Sequence, residues 1–103
     1  MYFGLMEKVI GLDWAIAKTI REMRESKGWT QAQLAGFAGL SEPYIAKLEQ
    51  GSRGASIDAL VQIATAIGKQ PSDLMRNIEI VLATGPQKPE GIPGRPPRQK
   101  SKT

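Results

Sequence analysis

Along the first two thirds of the chain, apolar residues recur at spacings of three and four, the period of amphipathic α-helices. The first such stripe, Ile16, Ile20 and Met23, predicts a helix over residues 13–27. Asp13 is the expected cap at its start, and Gly28 the expected stop just beyond its end. We expect this helix to bury one face against a compact core.

Two short helices are predicted next, and each has a hydroxyl residue at its N-cap position. The second helix is predicted from about residue 31 to 38, because Thr30 and Gln33 have the spacing of a capping box. The third is predicted from about residue 42 to 49, with Ser41 as its cap. Both therefore have sequence-encoded boundaries.

The remainder of the chain predicts two more helices and a tail. A fourth helix is expected over residues 57–67, and a short fifth begins near Ser72, although residues 78–82 also have the composition of a strand. Prolines and glycines then dominate residues 84–103, which favours a disordered tail. The predicted organisation is an N-terminal extension over residues 1–12, an all-α five-helix domain over residues 13–83, and the tail.

The amino-acid composition excludes several kinds of chemical site. The chain has no cysteine and no histidine, so disulfides, thiolate metal sites and the commonest general base are absent. No carboxylate pair, activated nucleophile or glycine-rich phosphate loop appears in the sequence. We therefore predict no enzymatic activity, no metal and no cofactor. The chain also lacks an apolar run of about 18 residues, and its start does not resemble a signal peptide, so we expect a cytoplasmic protein without a membrane span.

Residues 30–51 carry the most informative pattern. Two short helices are joined through Gly39, three residues before the second one begins, which is the arrangement of a helix-turn-helix. Small Ala35 allows the helices to approach closely, and Ile45 and Leu48 provide the buried side of the second. On spacing alone, an ordinary helical hairpin remains an alternative.

The segment from Ile20 to Leu74 resembles the phage lambda repressor and Cro-like helix-turn-helix family, also called the xenobiotic response element family. The matching positions are Ile20, Arg21, Glu22, Met23, Arg24, Gly28, Thr30, Gln31, Leu34, Ala35, Gly39, Ser41, Ile45, Leu48, Glu49, Gly51, Leu60, Ile63, Ala64, Ile67 and Leu74. The resemblance implies a lambda-repressor-like five-helix domain that binds double-stranded operator DNA as a homodimer. It further implies sequence-specific transcriptional regulation, with repression as the expected direction.

The resemblance also implies roles for residues outside the recognition helix. Gln31 is placed against the DNA backbone at the start of the second helix, beside Thr30. A simple helix-start role for Gln31 is the alternative. Arg24 and Glu49 match a pair that forms a structural ion pair between the first and third helices in many members of the family.

The exposed side of the third helix is the expected reading surface. With Ile45 and Leu48 inward, the outward residues are Glu42, Pro43, Ala46, Lys47 and Gln50, with Tyr44 at the edge and Ser41 at the start. Lys47 is suited to guanine O6 or N7, and Glu42 to cytosine N4. Glu42 alternatively serves only the helix dipole. Tyr44 is expected at a phosphate or a thymine methyl group.

Further phosphate contacts are expected from the loop and the tail. Ser52 and Arg53 follow the third helix directly and are good candidates for phosphate contacts; a solvated loop cation is the alternative for Arg53. Residues 1–83 are electrically neutral, whereas residues 84–103 carry the whole net charge of +4. The tail cations that we expect to contact DNA are Arg95, Arg98, Lys100 and Lys102. Two alternatives to such phosphate contacts remain for the tail. Gly94-Arg95-Pro96 partly matches an AT-hook, which binds the minor groove, and the tail could also make no DNA contact.

One alternative keeps the fold and changes the function. A protein-interaction module, such as an antitoxin or a bridging coactivator, would use Ile80-Val81-Leu82 or the apolar stretch Tyr2–Ile10 as its partner surface. We favour core closure or a homodimer contact for both segments. Co-purification of a second chain would distinguish the two functions.

Overall fold

The computed structural model describes residues 10–84 and shows five helices within them. These are α1 (Leu12–Ser26), α2 (Gln31–Ala38), α3 (Glu42–Gln50), α4 (Ile57–Ile67) and α5 (Pro71–Thr84). The predicted all-α, five-helix fold is confirmed over this range, which contains no strand. Most of the predicted N-terminal extension, and the predicted tail apart from Thr84, lie outside the described residues.

The start of α1 differs from the prediction. Gly11, not Asp13, is the N-cap, with φ of 82° and no side-chain hydrogen bond to the helix. This left-handed conformation is inexpensive for glycine alone, and it lets the chain turn directly into Leu12. Asp13 lies instead inside the first turn, where its negative charge stabilises α1 by interacting with the positive end of the helix dipole.

Helix α5 is longer than predicted, and the alternative of a strand over residues 78–82 is wrong. It extends for 14 residues because neither glycine nor proline interrupts it after Pro71. Leu74 and Ile78 are buried at a spacing of four, and Val81 and Leu82 pack against the core one turn later. The run of apolar residues is therefore a helical stripe, while Ile80 points to solvent.

Every helix contributes to one core. α1 packs against α3 and α5, α2 against α3 and α4, and α4 against α5. The largest completely buried side chains are Ile20, Leu34, Ile45, Leu48, Ile63 and Leu74, at least one from each helix. This shared core fixes the orientation of α3. Within residues 10–84, no helix is both long and apolar enough to cross a membrane.

The turn between α2 and α3 is held from two sides. Gly39 ends α2 with φ of 72°, and the following Leu40 N–H donates to the Ala35 carbonyl at 2.9 Å. Gln62, on α4, donates from Nε2 to the Ala38 carbonyl at 3.1 Å. The last carbonyl of α2 is therefore satisfied by another helix, and the turn is tied to the core.

Candidate nucleic-acid interface

The α2–α3 unit begins each helix with a side-chain cap. The Gln33 N–H donates to Thr30 Oγ1 at 3.0 Å, and the Thr30 N–H donates to Gln33 Oε1 at 2.9 Å, which is a complete capping box. The Tyr44 N–H donates to Ser41 Oγ at 3.2 Å. Thr30 and Ser41 thus have structural roles as N-caps. Their side chains lie at the N-terminal ends of α2 and α3, where the DNA contacts are expected.

Helix α3 presents a polar outer face. Glu42, Pro43, Lys47 and Gln50 are exposed, whereas Ile45, Leu48 and Glu49 are buried. Tyr44 is half-buried at the edge, and Ala46, which we expected to be exposed, is half-buried as well. The outward surface is therefore formed by one carboxylate, one ammonium group, one amide and a proline ring.

A groove of about 630 Å³ lies beside this face, between the α2–α3 turn, α3 and the beginning of α4. Its polar lining includes Ser41, Tyr44, Lys47, Arg53, Ser56 and Gln62. Lys47 and Arg53 are its two cations. Such a groove suits an anionic, extended ligand better than an apolar one.

The loop from Gly51 to Ser56 is anchored to α3. Ser52 donates to the Lys47 carbonyl from both its N–H, at 3.1 Å, and its Oγ, at 3.3 Å. The Ser56 N–H donates to the Tyr44 hydroxyl at 3.4 Å, and the Arg53 guanidinium lies 5.1 Å from the Tyr44 ring centre. Arg53 is thus held over an aromatic ring, at the side of α3 that borders the groove.

Behind α3, Arg24 and Glu49 form a bidentate ion pair. Arg24 Nε lies 2.7 Å from Glu49 Oε2, and Arg24 Nη2 lies 2.9 Å from Glu49 Oε1. The two side chains are only 13% and 4% exposed, respectively. The hydrogen bond with Glu49 raises the pKa of Arg24, against the lowering effect of burial, so the guanidinium remains charged.

Three more hydrogen bonds extend this pair. Arg24 Nη1 donates to the Trp29 carbonyl at 2.8 Å, and Arg21 Nη2 donates to the Glu49 carbonyl at 3.2 Å. Gln31 Nε2 donates to Glu49 Oε1 at 3.1 Å. Gln31, expected against the DNA backbone, therefore lies at the start of α2 with its amide oriented by a buried carboxylate.

The described part of the chain is electrically balanced, with eight basic and eight acidic residues between positions 10 and 84. At the candidate interface, the positive charge comes from Lys47 and Arg53, which line the groove, and Glu42 is an exposed negative charge at the start of α3. The other expected cations, Arg95, Arg98, Lys100 and Lys102, lie outside the described residues. In the same described range, no group of acidic side chains is arranged to hold a metal ion.

Comparison with known proteins places this unit in a family. Residues 20–74 match the family model described as helix-turn-helix. The chain belongs to the helix-turn-helix family. The matched range runs from the buried Ile20 of α1 to Leu74 of α5, so the family signature contains the entire α2–α3 unit. The resemblance to lambda repressor and Cro-like regulators is thereby confirmed.

Relatives in this helix-turn-helix family carry names from gene regulation. The chain is 31% identical over 64 residues to the HTH-type transcriptional regulator DdrOP3 of Deinococcus deserti, covering 62% of this chain and 50% of that protein. It is 39% identical over 57 residues to control protein C.BamHI of Bacillus amyloliquefaciens, covering 54% and 70%. The match thus spans about half the length of the first relative.

A solved structure of a family member has the same architecture. The crystal structure of the restriction-modification controller protein C.AhdI from Aeromonas hydrophila aligns with a TM-score of 0.59 and 32% identity. The alignment covers 64% of this chain and 98% of that one. The helical domain seen here therefore corresponds to nearly the whole of a controller protein.

Proposed function

We propose that this protein regulates transcription by binding operator DNA through its α2–α3 unit. The observation that carries the proposal is the exposed polar face of α3, held rigidly beside a groove that contains Lys47 and Arg53. Membership in the helix-turn-helix family and relatives named as transcriptional regulators and controller proteins support it.

In this proposal, α3 enters the major groove with its N-terminal half towards the base edges. Lys47 donates to guanine O6 or N7, and Glu42 accepts from cytosine N4. Pro43 lies between the two positions and presents an apolar edge. Glu42 is tolerated near phosphates when it meets a base donor or a cationic neighbour, because an unpaired carboxylate would be repelled there.

Contacts to the DNA backbone orient the protein around this reading helix. Gln31 supplies an amide N–H at the start of α2, since one of its two amide hydrogens remains after the bond to Glu49. Ser41 can donate its hydroxyl hydrogen, because its oxygen is the acceptor in the cap. Thr30 and Arg53 add further proposed backbone contacts, and Ser52 joins them by redirecting its hydroxyl from the Lys47 carbonyl to a phosphate.

We propose a homodimer that binds two half-sites as the operating form. Helix-turn-helix dimers place their recognition helices about 34 Å apart, one turn of the DNA, so a palindromic operator mirrors the two-fold axis of the protein. Occupying such an operator at a promoter would block the polymerase, which makes repression the proposed direction. The tail cations would add salt-dependent affinity without reading sequence.

Selection from random-sequence DNA tests this function. The full chain is expected to enrich a palindromic site, and Lys47→Gln is expected to relax the preference at one base pair per half-site. Lys69→Gln is the matched control, because Lys69 is an exposed lysine just past the opposite end of α4 from the groove. Enrichment of no site at low salt would contradict the proposal and would favour the protein-interaction module instead.

A further inference from the structure

Tyr44 makes three interactions at once, and each involves a different part of the molecule. Its backbone N–H donates to Ser41 Oγ in the turn, and its hydroxyl accepts from the Ser56 N–H at the start of α4. Its ring lies under the Arg53 guanidinium. This half-buried tyrosine therefore joins the turn, α3, the following loop and α4.

Arg53 depends on Tyr44 for its placement. Among the described residues, Arg53 has no hydrogen bond or ion pair, and the Tyr44 ring is its one aromatic contact. Arg53 and the neighbouring Gly54 are both exposed. A guanidinium held by its charge over a ring face uses none of its N–H groups in that contact, so they stay available to a phosphate.

We propose that Tyr44 is a positioning residue, which holds Arg53 over the groove to bind one phosphate of the DNA backbone. In this role Tyr44 acts on the phosphate through Arg53, because the face of its ring holds the guanidinium and its hydroxyl oxygen accepts from the Ser56 N–H. Lys47 lines the same groove and adds positive charge beside the phosphate. This inference rests on the proposed DNA binding, and it assigns to Tyr44 an indirect role in that binding.

A double-mutant cycle on the selected operator tests the inference. Arg53→Gln is expected to weaken binding by about ten- to a hundredfold, as for other hydrogen bonds to charged groups. Tyr44→Leu is expected to weaken binding by about two- to fivefold in the wild-type background, the range of an exposed cation–π contact. In the Arg53→Gln background, Tyr44→Leu is expected to have no further effect.

Tyr44→Phe provides the conservative control. It keeps the ring beneath Arg53 and removes only a 3.4 Å hydrogen bond, so binding is expected to stay within about twofold of wild type. The selected base sequence is expected to be the same for Tyr44→Leu and wild type. Thermal unfolding of each variant confirms that the domain is folded during the measurement.

The possible results distinguish a failure of the positioning role of Tyr44 from a failure of the proposed DNA binding. Additive effects of Tyr44→Leu and Arg53→Gln, or a base preference that changes in Tyr44→Leu, would overturn the positioning role while DNA binding stands. Failure of the wild-type chain to enrich DNA would overturn the proposed function itself. The free protein gives an independent measurement, because the NMR signal of Arg53 Hε should carry a ring-current shift that Tyr44→Leu abolishes.

Discussion

Replacing Arg24 by methionine is expected to destabilise the domain by about 3–5 kcal/mol. The substitution removes both charge-assisted hydrogen bonds to Glu49, whose side chain is only 4% exposed in the intact domain, and leaves the amide of Gln31 as its remaining side-chain donor. The Trp29 carbonyl loses its guanidinium donor as well. Methionine matches arginine closely in helix propensity, so the loss reports on the ion pair and not on α1 itself.

The size of this effect follows from burial. The pair Lys18–Glu22 also lies at close distance, but its side chains are 42% and 57% exposed. Exposed pairs contribute about 0–1 kcal/mol, since water screens them and ordering the side chains costs entropy. A domain of this size has a total stability of only about 4–11 kcal/mol. Arg24→Met should therefore remove a large fraction of the free energy of unfolding and lower Tm by at least about 12 °C.

Urea denaturation followed by circular dichroism measures these differences. Three variants are compared: Arg24→Met, the matched control Lys18→Met, and the double variant Arg24→Met with Glu49→Leu. We expect the double variant to recover most of the stability, because it removes the unpaired buried charge together with its partner. If Arg24→Met loses no more than Lys18→Met, the buried pair is not the stabilising contact that its geometry indicates.

Three other substitutions and one truncation give further expectations. Thr30→Ala should cost about 1 kcal/mol in urea denaturation through loss of the capping box; an unchanged midpoint would contradict this. Gly39→Ala should cost about 1–2 kcal/mol because of its φ of 72°. Gly36→Ala should gain up to about 1 kcal/mol, since α2 is regular there and no atom beyond the local helix backbone lies within 4 Å of the new Cβ. Equal effects at the two glycines would refute the conformational argument. Ending the chain after Thr84 removes five cations, so the slope of log K against log salt should become shallower by about 4–5 in DNA-binding titrations; an unchanged slope would show that the tail does not contact phosphates.

The helix boundaries that the sequence predicted correctly are those set by neighbouring residues. Thr30 and Ser41 cap α2 and α3 as expected, because a hydroxyl three residues before a backbone N–H needs no tertiary context. The start of α1 was misplaced at Asp13, since a glycine with positive φ can begin a helix without any side-chain signal. The length of α5 was underestimated because an apolar run is compatible with strand and helix alike.

The interactions that prediction missed in the candidate site are long-range. Gln31 and Glu49 are 18 residues apart, and Tyr44 and Ser56 are 12 apart. Neither pairing leaves a periodic or compositional trace, because each depends on how α2, α3 and the loop before α4 are packed. The family resemblance supplied the Arg24–Glu49 pair, but it carried no information on the tyrosine beneath Arg53.

Glu49 has a mechanical consequence for recognition. Its carboxylate and its carbonyl connect the end of α3 to Arg21 and Arg24 on α1, and to Gln31 on α2. The reading helix therefore cannot tilt on its own without breaking bonds to two other helices. Adaptation to an imperfect half-site would fall to the flexibility of the DNA, or to the contact between subunits, while each domain docks as one rigid body.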